Sequence, residues 1–191
     1  MNGLYVAIGV VVLLALATAF SYNRFVNQKN LIGNSWSNID TELTRRYDLI
    51  PNLVETVKGY AAHERAVFER VTEARSAAIS ATGPPSLQET AERPLVAAVR
   101  NLMAVAENYP NLKASEHFLD LERQLTLTED RLQAARRFYN ANVQEYNRRV
   151  RSIPSRFVAA MFGFHAADYF HIDPAVRSEV AMAPPVSLDG S

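Results

Sequence analysis

The residues of this chain that could carry chemistry are few, and their spacing limits what each could do. There are four histidines and no cysteine, so thiolate chemistry and a disulfide framework are absent. His63-Glu64 lacks the second histidine four residues after the first, which separates it from the metalloprotease helix motif. His165, Asp168 and His171 are close enough in sequence to clasp a metal in principle. Three loosely spaced ligands beside a Pro- and Ser-rich tail read as surface residues instead. Neither a glycine-rich phosphate loop nor a Gly-x-Ser-x-Gly elbow occurs. The expectation is a non-enzymatic protein with no cofactor, and a metal-dependent enzyme would have to be built on the 165/168/171 trio.

Charge placement is more informative. Read in sevens, Trp36, Leu43, Ile50, Val57, Val71 and Ala78 fall on one position, and Ile32, Ile39, Leu53, Tyr60, Val67 and Ala74 on a second. Among these positions only Arg46 and Glu64 are charged. An unpaired charge on an apolar helix face costs several kcal/mol, so each needs a partner or an escape to water. Arg46 could pair with Asp48, Glu122 or Glu129, and Glu64 with a basic residue of a neighbouring helix. Alternatively, the Arg45-Arg46-Tyr47-Asp48 run lines a polar groove or a subunit contact. The candidate polar seam or interface therefore comprises Arg45, Arg46, Asp48, Glu64, Glu122, Glu129, Asn140 and Asn147.

The elements that must position these residues follow from the pattern. A seam from Trp36 to Ala78 predicts a coiled-coil-like helix of about 43 residues, roughly 65 Å at 1.5 Å per residue, lying against other helices. Pro51 interrupts its hydrogen bonding, and Asp48 could cap a restarted helix, which predicts a kink or break near Tyr47 to Asp48. Ser80 to Pro85 ends the helix, and Ser86-Leu-Gln-Glu89 has the form of a capping box for the next. Leu95, Val99, Leu102, Met103, Ala106 and Tyr109 carry that second helix to Pro110. After Ser115, Phe118, Leu125, Leu132, Tyr139, Tyr146 and Ile153 recur at intervals of seven, with Asn140 and Asn147 beside the stripe. Pro154 stops this third helix, Ser155 caps a short apolar one, and Gly163 ends it. The aromatic stretch that follows Pro154 either folds back as a lid or lies on a bilayer surface.

Ahead of the seam, Gly3 to Phe20 is an uncharged apolar run long enough to span a bilayer. Ala17-Thr18-Ala19 has the form of a signal-peptidase site, but nothing basic precedes the run, so an uncleaved anchor is expected. Arg24 and Lys29 follow it, which places the remainder on the cytoplasmic side by the flanking-charge rule, with the periplasmic side as the alternative.

The run Trp36-Ser-Asn-Ile-Asp40, Leu43-Thr-Arg-Arg-Tyr-Asp-Leu-Ile-Pro-Asn-Leu-Val54, Val57-Lys-Gly-Tyr60 and His63-Glu64 resembles the hallmark of the LemA family of bacterial membrane-anchored proteins. Glu107-Asn-Tyr-Pro-Asn-Leu-Lys113, Arg136-Arg-Phe-Tyr-Asn140, Tyr146-Asn147 and Gly163-Phe164 follow in the same order. The resemblance implies one membrane helix followed by an all-helical domain, and it implies no reaction. Of its members, one is associated with building an internal bacterial membrane and others accompany a membrane metalloprotease.

Taken together, the expected fold is all-α. A single N-terminal transmembrane helix continues into an elongated antiparallel bundle of three long helices, with a short C-terminal helix. Residues 1–22 form the anchor, 23–172 the bundle and 173–191 a disordered tail. Twenty basic and twenty acidic residues in 191 leave no net charge, which argues against a general nucleic-acid binder. The expected function is a scaffold in the bacterial inner membrane, held in lipid through residues 1–22. It would self-assemble as a homo-oligomer or organise a membrane partner. The alternative is a regulatory adaptor of a membrane protease or sensor.

Overall fold

The computed structural model describes residues 2–170, and every regular element among them is a helix. The order is α1 Asn2–Lys58, α2 Arg65–Ser80, α3 Pro85–Ala106, α4 Pro110–Lys113, α5 Glu116–Arg151 and α6 Ser155–Phe162. His171 and the tail expected to be disordered lie outside the described residues.

Helix α1 has 57 residues and is about 85 Å long at 1.5 Å per residue. Its N-terminal part contains an 18-residue window of mean hydropathy 2.4, none of it covered by the rest of the protein. The helix then passes Gly33 without interruption and becomes the spine of the domain, burying Phe25, Ile39, Leu43, Ile50, Leu53 and Val57. Phe25 meets Tyr146, Trp36 meets Tyr139 and Arg46 reaches Glu129, so residue numbers fall along α5 as they rise along α1. The seven-residue stripe of α5 is the face that packs, with Phe118, Leu132, Tyr139 and Tyr146 all buried. Ile153 falls beyond the end of α5 and is exposed.

The structure corrects the expected break near Asp48. Helix α1 runs through Pro51, and Asp48 is an exposed residue inside it that caps nothing. A proline at position 51 removes the amide that would bond the Tyr47 carbonyl, and Arg75 Nε fills the gap at 2.7 Å. The chain turns instead across 59–64, where the amides of Tyr60 and Ala61 bond the Val57 carbonyl. Helix α2 then folds back on the end of α1. The seam from Trp36 to Ala78 is therefore two helices and not one. Val71 and Ala78 of α2 share a single core with Ile39, Leu43, Ile50 and Val57 of α1, so the seam is covered within one chain.

Helix α3 packs on α2 and begins at Pro85 after Pro84, with no side-chain cap. The expected capping box is not formed, because Ser86 lies inside the helix and Glu89 bonds Arg93 at 2.6 Å. Proline at the first helical position suits this start, since its missing amide would have had no partner there. At the other end of the domain Gly163 closes α6 with φ of 71°, a left-handed conformation that favours glycine. Residues 164–170 return along α5 as an extended strap.

Candidate functional site

Arg46 occupies an inward position of α1 between Leu43 and Ile50, and only 6% of it is exposed. Its guanidinium reaches two helices at once. Nη1 donates to Glu92 Oε2 of α3 at 3.0 Å, and Nη2 donates to Glu129 Oε2 of α5. Tyr47 donates its hydroxyl to the other Glu92 oxygen. The Gln88 amide nitrogen lies 3.0 Å from the Tyr47 hydroxyl and 3.1 Å from the Ala78 carbonyl, which joins α2 to the cluster. Burial holds Arg46 below its ordinary value, opposed by the charge of Glu92. Burial and the bond to Glu92 push the Tyr47 phenol up, so it remains a donor. A planar fork that bonds two carboxylates on different helices fixes their positions relative to α1.

Arg46 and Glu129 of this cluster line an open groove of about 740 Å³ between α3 and α5. Leu95, Val99 and Met103 form one wall and Leu125 the other, while Arg100, Glu122 and Asp130 provide charges of both signs at its edges. Arg136 reaches the groove from the same face of α5 and also lies over the Phe170 ring, 4.8 Å from its centroid.

Asn140 and Asn147 bind the strap by backbone pairing. The Asn147 side chain donates to the Ala167 carbonyl at 2.9 Å and accepts from the Ala167 amide at 2.8 Å. Asn140 does the same with Phe170, at 2.7 and 2.9 Å. Seven helical residues span about 10.5 Å and three extended residues about 10 Å, so the two asparagines match the two bonding sites on the strap. Between them the Tyr139 hydroxyl donates to the Asp168 carbonyl at 2.9 Å. Phe170 is thereby seated edge-on against Trp36, with centroids 5.3 Å apart.

The structure thus separates the sequence candidates. Arg46 and Glu129 lie in the cluster, and Glu122 stands exposed on the groove. Asn140 and Asn147 serve the strap. Arg45 is exposed and bonds Glu42 at 3.0 Å, Asp48 is exposed, and Glu64 sits at the start of α2. Arg46 does not use Asp48, and Glu92 was missing from its expected partners. A signal for Glu92 was present. Extending the spacing of Leu102, Val99 and Leu95 backwards by steps of four and three places Glu92 and Gln88 on the inward stripe of α3. Among the described residues no three His, Cys, Asp or Glu side chains converge to hold a metal ion.

A long apolar N-terminal helix that continues into an all-helical domain with an internal ionic tie defines a membrane-associated helical protein. The chain belongs to the LemA family, whose model matches residues 35–184. It is similar to the magnetosome protein MamQ of Magnetospirillum gryphiswaldense, with 26% identity over 199 residues, covering 90% of this chain and 73% of that protein. Magnetosome protein MamQ 2 of Paramagnetospirillum magneticum is 27% identical over 179 residues, covering 81% of this chain and 66% of its own length. Protein LemA of Metamycoplasma hominis is 23% identical over 163 residues, covering 83% and 72%.

Proposed function

We propose that this protein is a non-enzymatic, single-pass membrane scaffold whose cytoplasmic domain, an elongated antiparallel bundle, docks a membrane-protein partner along the groove between α3 and α5. The groove carries this reading. Its walls are apolar, its edges carry both signs of charge, and Arg46, which lines it, bonds both α3 and α5. Such a surface suits an amphipathic helix, which would cover the partly exposed Val96, Val99, Met103 and Leu125 and meet the edge charges with its own. The likeness to magnetosome proteins is in keeping with work at a membrane.

Self-association was expected from the length of the seam. That seam is buried within each chain, so a homo-oligomer would use another surface, such as the groove or the membrane helix. A photo-crosslinking residue at Val99 or Leu125 in cells tests the reading, with Glu69 on the exposed side of α2 as control. One dominant product from the groove positions, and none from Glu69, is expected. Its mass distinguishes a second copy from a different membrane protein, and a protease or sensor as that protein would favour the adaptor function. Equal labelling at all three positions, or none, overturns the reading.

A further inference from the structure

Helix α6 is placed by contacts at both of its ends. Phe25 of α1 meets Tyr146 of α5, with centroids 6.0 Å apart. Three residues further along α5, about 4.5 Å, the Arg149 carbonyl accepts the hydroxyl of Ser155, the first residue of α6, at 2.7 Å, which sets that end of α6 level with Tyr22 of α1. At the other end of α6, Phe162 meets Tyr22 at 4.8 Å, and Phe164 stacks on Phe25 at 4.8 Å. Both ends thus lie near the level of Tyr22 on α1, although eight helical residues span about 12 Å. Helix α6 therefore lies across α1 and not along it. The level it occupies is the end of the apolar run Gly3 to Phe20.

Two further features of this end of the molecule point to the same occupant. Ala159 faces the domain and is buried, whereas Phe157 and Met161, four residues apart on one face, are 66% and 72% exposed, and Ile153 just before the helix is 75% exposed. Arg148, Arg149 and Arg151 belong to the last turn of α5, which leads into α6, and Arg156 lies in α6 itself. Glu145 is bonded to Arg148 at 2.9 Å and Arg149 at 3.0 Å. Arg151 and Arg156 are exposed beside the apolar face. A helix with aromatic side chains on one face and arginines at its edge, lying across a membrane span at its boundary, has the composition of one that rests in the headgroup region.

We propose that α6 is an interfacial membrane helix. Ile153, Phe157 and Met161 enter the edge of the hydrocarbon in the leaflet on the domain's side, and Arg151 and Arg156 bind anionic lipid headgroups. The basic residues at this boundary come from both ends of the domain and add to the weight that Arg24 and Lys29 give the cytoplasmic side. The inference rests on α1 being the anchor.

The chain has no cysteine, so a single introduced cysteine carries a single nitroxide. The full-length protein would be labelled as Phe157→Cys or Met161→Cys and placed in nanodiscs of phosphatidylcholine, or of phosphatidylcholine and phosphatidylglycerol in equal parts. Leu14→Cys serves as the bilayer reference and Leu127→Cys, exposed on α5, as the water reference. The readout is collision with oxygen relative to collision with a nickel chelate. Labels on α6 should give a ratio several-fold above that of Leu127 and approaching that of Leu14, and higher in the anionic discs. Arg151→Gln with Arg156→Gln should remove that lipid dependence. A label on α6 as open to nickel as Leu127 overturns the proposal, and one shielded from both reagents overturns it in favour of a second protein copy. Equal depth in the two lipid mixtures overturns the headgroup part. A Leu14 label open to nickel would instead mean that α1 is not the anchor.

Discussion

Arg75 Nε of α2 lies 2.7 Å from the Tyr47 carbonyl oxygen of α1, the acceptor that a residue other than proline at position 51 would have served with its own amide. The side chain from the returning helix thus completes the backbone bonding of the helix it packs on. Without it, a carbonyl at the junction of α1 and α2 would lose its partner, which costs about 1–3 kcal/mol. Arg75→Ala should lower the unfolding free energy of the detergent-solubilised protein by that order. Adding Pro51→Ala should recover most of the loss, since an alanine amide can bond the same carbonyl. Purely additive effects in this double-mutant cycle would show that Arg75 acts elsewhere.

Arg46 should be costly to remove and cheaper to remove together with its buried partner. The Glu92 side chain is only 3% exposed, so Arg46→Met leaves a buried carboxylate uncompensated, at about 3–5 kcal/mol. Glu92→Gln in the same chain abolishes that charge and keeps an acceptor for Tyr47, so the double variant should regain more than half of the loss. Arg46→Lys should not substitute, because one ammonium lacks the planar fork that reaches carboxylates on two helices. Denaturant unfolding of the four proteins checks this, and a double variant no more stable than Arg46→Met would contradict the pairing.

Alkaline pH should loosen the domain through its buried tyrosines. Burial, reinforced by the nearby Asp168 charge, pushes the Tyr139 phenol from its ordinary 10.0 up to about 12. The same cause raises Tyr47 and Tyr146. With the folded value raised, the unfolded chain loses its proton first. The stabilisation is therefore complete below pH 10 and is lost as pH rises towards 12. Each such tyrosine contributes at most about 1.4 kcal/mol per pH unit in that window. Tyr139→Phe should flatten the fall in stability there, and an unchanged slope would rule Tyr139 out as a contributor.

The asparagine clamps can be read through Trp36, the only tryptophan. Phe170 sits against it because Asn140 and Asn147 hold the strap. Asn140→Ala with Asn147→Ala removes four hydrogen bonds to the strap backbone. Release should red-shift the emission of Trp36 and strip protection from the Ala167 and Phe170 amides in hydrogen exchange. The helical signal in circular dichroism should barely change, because the strap is not helical. Emission and exchange identical to the unmodified protein would mean that the aromatic contacts hold the strap unaided.

What the sequence determined by itself was local and periodic. The apolar run of Gly3 to Phe20, the stripe of Phe118 to Tyr146, the stop at Pro154 and the glycine end at Gly163 follow from side-chain spacing and backbone preference within a few residues. It also marked Arg46 as a charge on an inward face that needed a partner. The partner could not be read with the same certainty, because Glu92 lies just ahead of Pro94, a residue that breaks helix interiors, so the apolar stripe of α3 is traceable from the sequence only from Leu95 onward. The turn at 59–64 was hidden for a different reason. The positions Val57, Tyr60, Glu64, Val67 and Val71 keep the helical phase through it, so the pattern shows no fault, although Tyr60 proves exposed and only the fold reverses the chain there. The survival of α1 through Pro51 likewise depended on a donor 28 residues away in sequence. Periodicity records which side of a helix is buried. Which helix covers it, and which distant side chain satisfies an orphaned carbonyl or a buried guanidinium, is decided only when α2, α3 and α5 pack on α1 and bring those groups within bonding distance.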